Sequence, residues 1–301
     1  MRFSVIIPMY QAFQTLPACL NGVSNQDYHD FEVIMVDSSP GLESVQWIRQ
    51  HTSYRVIHLE EKTRSEKARN IAAAQAQGDI LAFLDADCVP VTGWLAALDQ
   101  AFLDRAAAAC GPVTCFNRDL ISVTAHIAKF WLWLPGRTIR QINQAPTANF
   151  AILRNLYVEL GGLDESHLAS ADTGLGYRLE DSGKSIRIVP GAQVAHIHTI
   201  DWRDLVRERY HRGYEFGLMR IGQPRWSRGL SWIYLMIMLI LPFINLTRKL
   251  AIGWSAGYGR YLPAAVPRLF ILEWAWFFGQ AHAHRQALWN DPIAQSGIGK
   301  S

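Results

Sequence analysis

The chain has 301 residues, enough to bury one large core or two smaller ones. Half the residues are hydrophobic and only 18% are charged, against about 25% in an average soluble protein, so extra apolar surface is expected somewhere. A net charge of +3 is too small to argue for a nucleic-acid partner, and Cys19, Cys88, Cys110 and Cys115 form no CxxC pair and fit no zinc spacing, which leaves free thiols in a reducing compartment.

The N-terminal MRFSVIIPMYQ is too short an apolar run for a signal peptide and is stopped by Pro8, so the first part of the chain is expected to stay in the cytoplasm. Residues 3–7 form a β-branched run and read as a strand. Phe13, Leu16, Leu20 and Val23 follow at helical spacing. FEVIMV (31–36) reads as a second strand, 45–49 as a short helix and 54–59 as a third strand. Ser65 is expected to cap a helix through Gln77, with Gly78 as its left-handed stop. Residues 80–84 are a fourth strand. Apolar runs alternating with helical patterns imply βαβ units and a mostly parallel sheet.

The fourth strand runs straight into Asp85 and Asp87. In an open α/β sheet, ligands bind outside the carboxyl ends of the strands. Two acids two residues apart point the same way if the extended backbone persists, and they repel unless a cation or proton lies between them. A hard ion such as Mg²⁺ or Mn²⁺ suits that pair; loop caps or turn formers are the plainer alternative.

Further on, Asp172 precedes a helical stretch and can cap it. His196 and His198 lie two apart in an expected strand, so both face one side as ligand and supporting partner or as structural histidines. Arg207, Arg209, Arg212 and Arg220 crowd one segment. They read either as a solvated helix face with Glu208 and Glu215 or, for Arg209 and Arg212, as contacts to phosphate or anionic lipid.

Residues 229–247 carry no charge and are flanked by Arg225, Arg228, Arg248 and Lys249. The run is near the length of a membrane span, but Pro242 interrupts it, and a two-span hairpin would place Arg248, Lys249 and Arg260 outside. A span, an in-plane or re-entrant segment, and a buried helical cap or dimer interface all stay open. A second apolar stretch, 269–278, contains Glu273 among aromatics.

The motifs VIIPMY (5–10), FEVIMVD (31–37), ARN (68–70), GD (78–79) leading into FLDAD (83–87), ANFAILR (148–154), GGLDE (161–165), Asp172 and VAHIH (194–198) occur in that order. Together they resemble family 2 glycosyltransferases over roughly residues 1–220. The resemblance implies an α/β GT-A fold with a mixed, mostly parallel sheet flanked by helices. Residues 1–90 would be the nucleotide-sugar half, 91–220 the acceptor half, and 221–301 an apolar helical, membrane-associating region.

By the same resemblance, Asp37 contacts the nucleobase or ribose, and Pro8, Tyr10 and Arg69 belong to the donor site with it. Asp85 lies near the ribose, Asp87 holds Mn²⁺ or Mg²⁺ on the diphosphate, and His196 or His198 lies near that metal. Gly161 and Gly162 lie near the acceptor, and Asp172 is the catalytic base. Departures from the pattern are Ser38-Ser39-Pro40 after Asp37, Ala171 where an acid is usual, and VRERY (206–210) in place of the processive motif. The last favours transfer of a single sugar. The implied protein is an inverting glycosyltransferase at the cytoplasmic face of the cell membrane, with a nucleotide-sugar donor and a glycan or lipid acceptor. A sugar nucleotidyltransferase and a non-catalytic nucleotide-binding or interaction protein are the alternatives.

Overall fold

The computed structural model describes residues 2–136, 141–142, 144–165, 171–222 and 226–289. In chain order the first elements are β1 (Phe3–Met9), α1 (Leu16–Ser24), β2 (Phe31–Asp37), α2 (Glu43–His51), β3 (Arg55–His58), α3 (Ser65–Ala74), β4 (Ile80–Leu84) and β5 (Cys88–Pro90). They are followed by α4 (Trp94–Leu103), β6 (Ala108–Cys110), β7 (Val113–Cys115), α5 (Leu120–Phe130), β8 (Gln141–Ile142), β9 (Asn149–Leu153), α6 (Arg154–Glu159), α7 (Ala171–Asp181), β10 (Ile186–Ile188) and β11 (Val194–His196). Four α-helices close the described chain: α8 (Trp202–Ile221), α9 (Arg228–Ile237), α10 (Leu241–Gly253) and α11 (Leu262–Trp289).

Packing divides the chain into two units. Among the described residues, the first comprises those within 2–117, 132–165 and 171–198, and the second those within 118–131 and 199–289. This division differs from a boundary at residue 220, because α8 packs against α11 and α5 does the same.

The first unit is built on an eight-stranded sheet of order β3-β2-β1-β4-β9-β6-β10-β8. β3, β2, β1 and β4 run parallel, and β9 lies antiparallel between β4 and β6. β4 is buried at all five positions, as its uninterrupted ILAFL run requires of a strand covered on both faces. Its Phe83 ring stacks on Phe150 of β9 and meets Tyr157 of α6. A small second sheet, β5-β11-β7, sits beside it. Asn149 ties the two: its amide donates to the Ala192 carbonyl at 2.8 Å and its oxygen accepts from the Trp94 indole at 2.8 Å.

Two local expectations are corrected. The helix after residue 64 starts at Ser65 itself, with Arg64 at the cap position and no side-chain cap, and it ends at Ala74. Gly78 is not a left-handed stop. A Cβ there would lie 2.6 Å from the backbone of Phe3 and Ser4, so close approach to β1 requires the glycine.

In the second unit, α8 and α11 cross at glycines: a Cβ on Gly213 would fall 2.1 Å from the Trp276 carbonyl, and one on Gly279 2.1 Å from that of Tyr210. Glu273, in the second apolar stretch, is fully buried and ion-paired with the Lys249 ammonium of α10, which also donates to the Ala128 carbonyl at 3.0 Å. The uncharged run 229–247 is not one helix. α9 ends at Ile237, and α10 starts at Leu241 with Pro242 in its first turn, where a proline's missing N–H costs nothing. No single described helix is long and apolar enough to cross a bilayer; Arg228–Ile237 and Leu241–Trp289 meet the length and hydropathy requirement only as a pair bent by 68°. Arg225 lies outside the described residues.

Candidate active site

Parallel β1, β2 and β4 bring their carboxyl ends together, and the acids sit at or just past those ends. Asp37 closes β2 and is fully buried. One of its oxygens accepts from the Ser39 hydroxyl at 2.6 Å and the Ser39 amide at 3.1 Å; the other lies 3.6 Å from Nδ1 of His58. The β2–β3 register sets Asp37 opposite His58. Ser39 Oγ also accepts from the amide of Gln11, so the Ser38-Ser39 departure forms a turn that locks Asp37 to the end of β1. Oδ2 of Asp37 has no hydrogen-bond donor among the described residues, which suits a carboxylate reserved for a ligand. Pro8 lies in β1, and Tyr10 just beyond it is partly exposed with the Lys62 ammonium 4.4 Å over its ring.

The extended backbone does not persist through the acid pair. The Cys88 amide donates to the Asp85 carbonyl at 2.9 Å, closing a turn over Asp85–Cys88. The turn sends the two carboxylates to different partners. Asp85 pairs with the buried Arg69 guanidinium of α3. Asp87 pairs with His196, whose Nε2 lies 3.3 Å from Oδ2. The repulsion expected between neighbouring acids is thus relieved at Asp85 by a fixed cation.

His196 arrives through the small sheet, where antiparallel pairing sets it opposite Cys88, the residue after Asp87. The Ile197 amide donates to the Asp87 carbonyl at 2.8 Å and fixes that register. β11 ends at His196, yet His198 still shares its side: the ring centroids are 4.4 Å apart, and the His198 amide donates to Asn117 Oδ1.

One ligand atom each from Asp87, Cys88 and His196 lies within 4.8 Å of the others. The part-exposed Asp87 carboxylate and the His196 imidazole nitrogen are a donor set that fits a divalent ion of the Mn²⁺ or Mg²⁺ kind. Burial raises the Cys88 and Cys19 thiols above their ordinary pKa, and the charges of Asp87 and Asp85 push them the same way. The thiols thus sit in a negative field that a cation would relieve.

After α6, Gly161 and Gly162 both have positive φ, +79° and +69°. Asn70 Oδ1 accepts from the Tyr157 hydroxyl at 2.6 Å and the Leu163 amide at 3.0 Å, and its Nδ2 donates to the Leu163 carbonyl and to Glu165. Arg178 of α7 clamps the loop from the other end through the carbonyls of Leu160 and Gly162. Asp172 lies in the first turn of α7, not before it, and its Oδ1 accepts from the Thr173 amide at 2.7 Å. A carboxylate there is favoured by the positive end of the helix.

Arg209 and Arg212 are in the second unit. Arg209 is buried, stacks at 4.3 Å on the Trp276 ring and lies 4.0 Å from Glu273; Arg212 donates to Glu208 at 2.8 Å, the i,i+4 pair of a helix face. Four residues of the first unit have roles that the sequence reading did not assign. Ser39, His58 and Cys88 are placed by register and turn geometry. Arg178 carries no local signal, since only the packing of α7 brings it to the loop. Asn70 was legible as the last letter of ARN, but its four hydrogen bonds were not.

The central sheet, with acids at the carboxyl ends of its parallel strands and a second small sheet delivering a histidine, defines a GT-A type protein. A sequence model of "Glycosyl transferase family 2" matches residues 4–157. The chain belongs to that family. The matched range includes Pro8, Tyr10, Asp37, Arg69, Asp85 and Asp87 and stops before Gly161, Asp172 and His196. Among curated relatives, the pre-mycofactocin glycosyltransferase of Mycobacterium tuberculosis is 28% identical over 204 residues, covering 64% of this chain and 43% of the relative. Glycosyltransferase AglE of Haloferax volcanii is 27% identical over 190 residues, covering 61% of this chain and 62% of the relative. The chain thus spans less than two thirds of the length of either. Among solved structures, the mannosyltransferase PcManGT of Pyrobaculum calidifontis, in complex with GDP-Man and Mn²⁺, aligns with a TM-score of 0.57 at 20% identity, covering 96% of this chain and 87% of that one. At that identity the likeness speaks to the fold.

Proposed function

We propose that the protein is an inverting glycosyltransferase that moves one sugar from a nucleotide-diphosphate sugar to a hydroxyl of a lipid or lipid-linked glycan, at the cytoplasmic face of a membrane. The observation that carries this reading is the separation of the two site acids: Asp85 is neutralised by Arg69, and Asp87 is turned toward His196. Asp37, whose second oxygen accepts no hydrogen bond among the described residues, recognises the nucleoside, and Asp85 is held for the ribose by Arg69. Asp87 and His196 hold a divalent cation, which when bound absorbs negative charge on the diphosphate.

Asp172 takes the proton from the acceptor hydroxyl as its oxygen bonds to the anomeric carbon. The bond from that carbon to the phosphate oxygen breaks, and the diphosphate leaves with the electron pair. Attack opposite the leaving group inverts the carbon. The loop at Gly161–Gly162, fixed by Asn70 and Arg178, supports the acceptor side, a feature nucleotidyl transfer does not call for. The mannosyltransferase whose structure contains GDP-Man and Mn²⁺ supports the metal and donor class.

The test is binding of a panel of nucleotide sugars by calorimetry with and without Mn²⁺. One donor binds in Mn²⁺, and Asp87→Ala loses the metal-dependent part. Unchanged affinity of the Ala variant in Mn²⁺ removes the metal from Asp87.

A further inference from the structure

The helical unit carries an apolar surface that the transferase chemistry does not use. Ile233, Met236, Ile237 and Ile240, then Phe243 and Ile244, recur every three or four residues, and all are exposed. Met236, at the middle of the stripe, is 76% exposed. The other sides of the same helices are packed: Ser231, Tyr234, Pro242, Leu246 and Lys249 are buried. One continuous stripe therefore runs down α9, around the corner at 238–240 and up α10. A contiguous apolar patch of this size on a soluble surface marks an interaction site.

Three further features say what covers it. The first is charge. Residues 216–289 contain eight basic residues, and their one acid, Glu273, is buried against Lys249. Arg228, at the start of α9, and Arg248, near the end of α10, are exposed, as is Arg260 beyond them. A second copy meeting this face about a two-fold axis would bring arginines together with no exposed acid to answer them. An anionic lipid surface answers all of them.

The second feature is length. α9 has 10 residues and α10 has 13, so they are about 15 and 20 Å long, well short of the roughly 30 Å hydrocarbon core. The third is the backbone at the corner. The amide of Met238 donates to Tyr234, that of Ile240 to Ile237, and those of Phe243 and Ile244 to Ile240, while Pro242 has no N–H to satisfy. Four of the corner's amides are thus bonded internally, which lowers the cost that hydrocarbon sets on open backbone.

We propose that the α9–α10 elbow is an in-plane anchor that dips into one leaflet of an anionic phospholipid bilayer, Leu239 and Ile240 deepest and Arg228 and Arg248 at the headgroups. This deepens the membrane-bound acceptor reading and rests on it. The experiment uses the full-length chain with vesicles of phosphatidylcholine, alone or mixed with phosphatidylglycerol, scored by flotation. The protein floats with the mixed vesicles and at least tenfold less with the neutral ones. Met236→Glu with Ile240→Glu abolishes flotation while leaving Mn²⁺-dependent donor binding and the melting temperature unchanged. Arg248→Gln with Arg260→Gln removes the preference for mixed vesicles. A spin label on Ile240→Cys, the native cysteines being buried, reports a depth within the near leaflet.

Flotation on neither vesicle, equal flotation on both, or a label at the bilayer centre overturns the proposal. So does a vesicle-free dimer that Met236→Glu dissociates, which would give the face to a second copy. Loss of donor binding in the unaltered chain, with flotation intact, would overturn the transferase reading instead.

Discussion

Alanine at Gly162 tests the Gly161–Gly162 loop with a built-in control one residue away. Both Gly161 and Gly162 sit at positive φ, where an L side chain costs about 1–2 kcal/mol. They differ in surroundings. A Cβ on Gly161 meets nothing within 4 Å, whereas one on Gly162 would lie 2.8 Å from Oδ1 of Asn70. That oxygen cannot step aside freely, because it accepts from Tyr157 and Leu163 while the other end of the amide is held by the Leu163 carbonyl and Glu165. Giving up two such bonds costs about 1 kcal/mol each. Gly162→Ala should therefore destabilise by about 3–4 kcal/mol and Gly161→Ala by only the backbone part. Urea unfolding of both variants, and of each in an Asn70→Ala background, forms the cycle: without the Asn70 oxygen, the two alanines should cost the same. Transfer should fall in Gly162→Ala while Mn²⁺-dependent donor affinity holds. Equal losses from the two glycines with Asn70 present, or an unequal pair after its removal, would refute the reasoning.

Asp172→Asn should keep donor binding and the melting temperature, since its amide oxygen can still accept from Thr173, and should lower single-turnover transfer by about 10²–10⁴; normal turnover would reduce Asp172 to a helix-end residue. Lys249→Met should cost up to about 3–5 kcal/mol by equilibrium unfolding, because it leaves the buried Glu273 carboxylate with only Arg209, 4.0 Å away, to answer it, and adding Glu273→Gln should recover part of that loss. His284, fully buried beside Ser231 and Tyr234, has its pKa lowered to about 4 by burial and, secondly, by the Arg220 charge. The unfolded imidazole titrates near 6.5, so between about 6.5 and 4 the unfolded chain binds more protons. Stability should therefore decline as pH falls through that window, and His284→Gln should flatten the decline in melting temperature measured against pH.

How much of this was legible in the sequence follows from the range of the forces involved. β4 was readable because a strand covered on both faces must be apolar throughout, and the βαβ order because periodicity is a local property. The family was readable because its motifs come in a fixed order along the chain. The pairing of charges was not local. Asp85 and Asp87 are two residues apart, but whether they share an ion depends on a turn closed at Cys88, on Arg69 from α3 and on a histidine more than a hundred residues later, delivered by strand register. Glu273 inside an aromatic run looked like an interruption of an apolar stretch until α10 folded back to bring Lys249 to it. The uncharged run at 229–247 gave its hydropathy and, at Pro242, an interruption; which faces leave water came from packing, which buries Tyr234 and Leu246 and leaves Met236 and Ile240 outside. Composition and periodicity decide which residues leave water, whereas a carboxylate takes its partner from whatever charge the tertiary fold sets within a few ångströms, and that distance is not written along the chain.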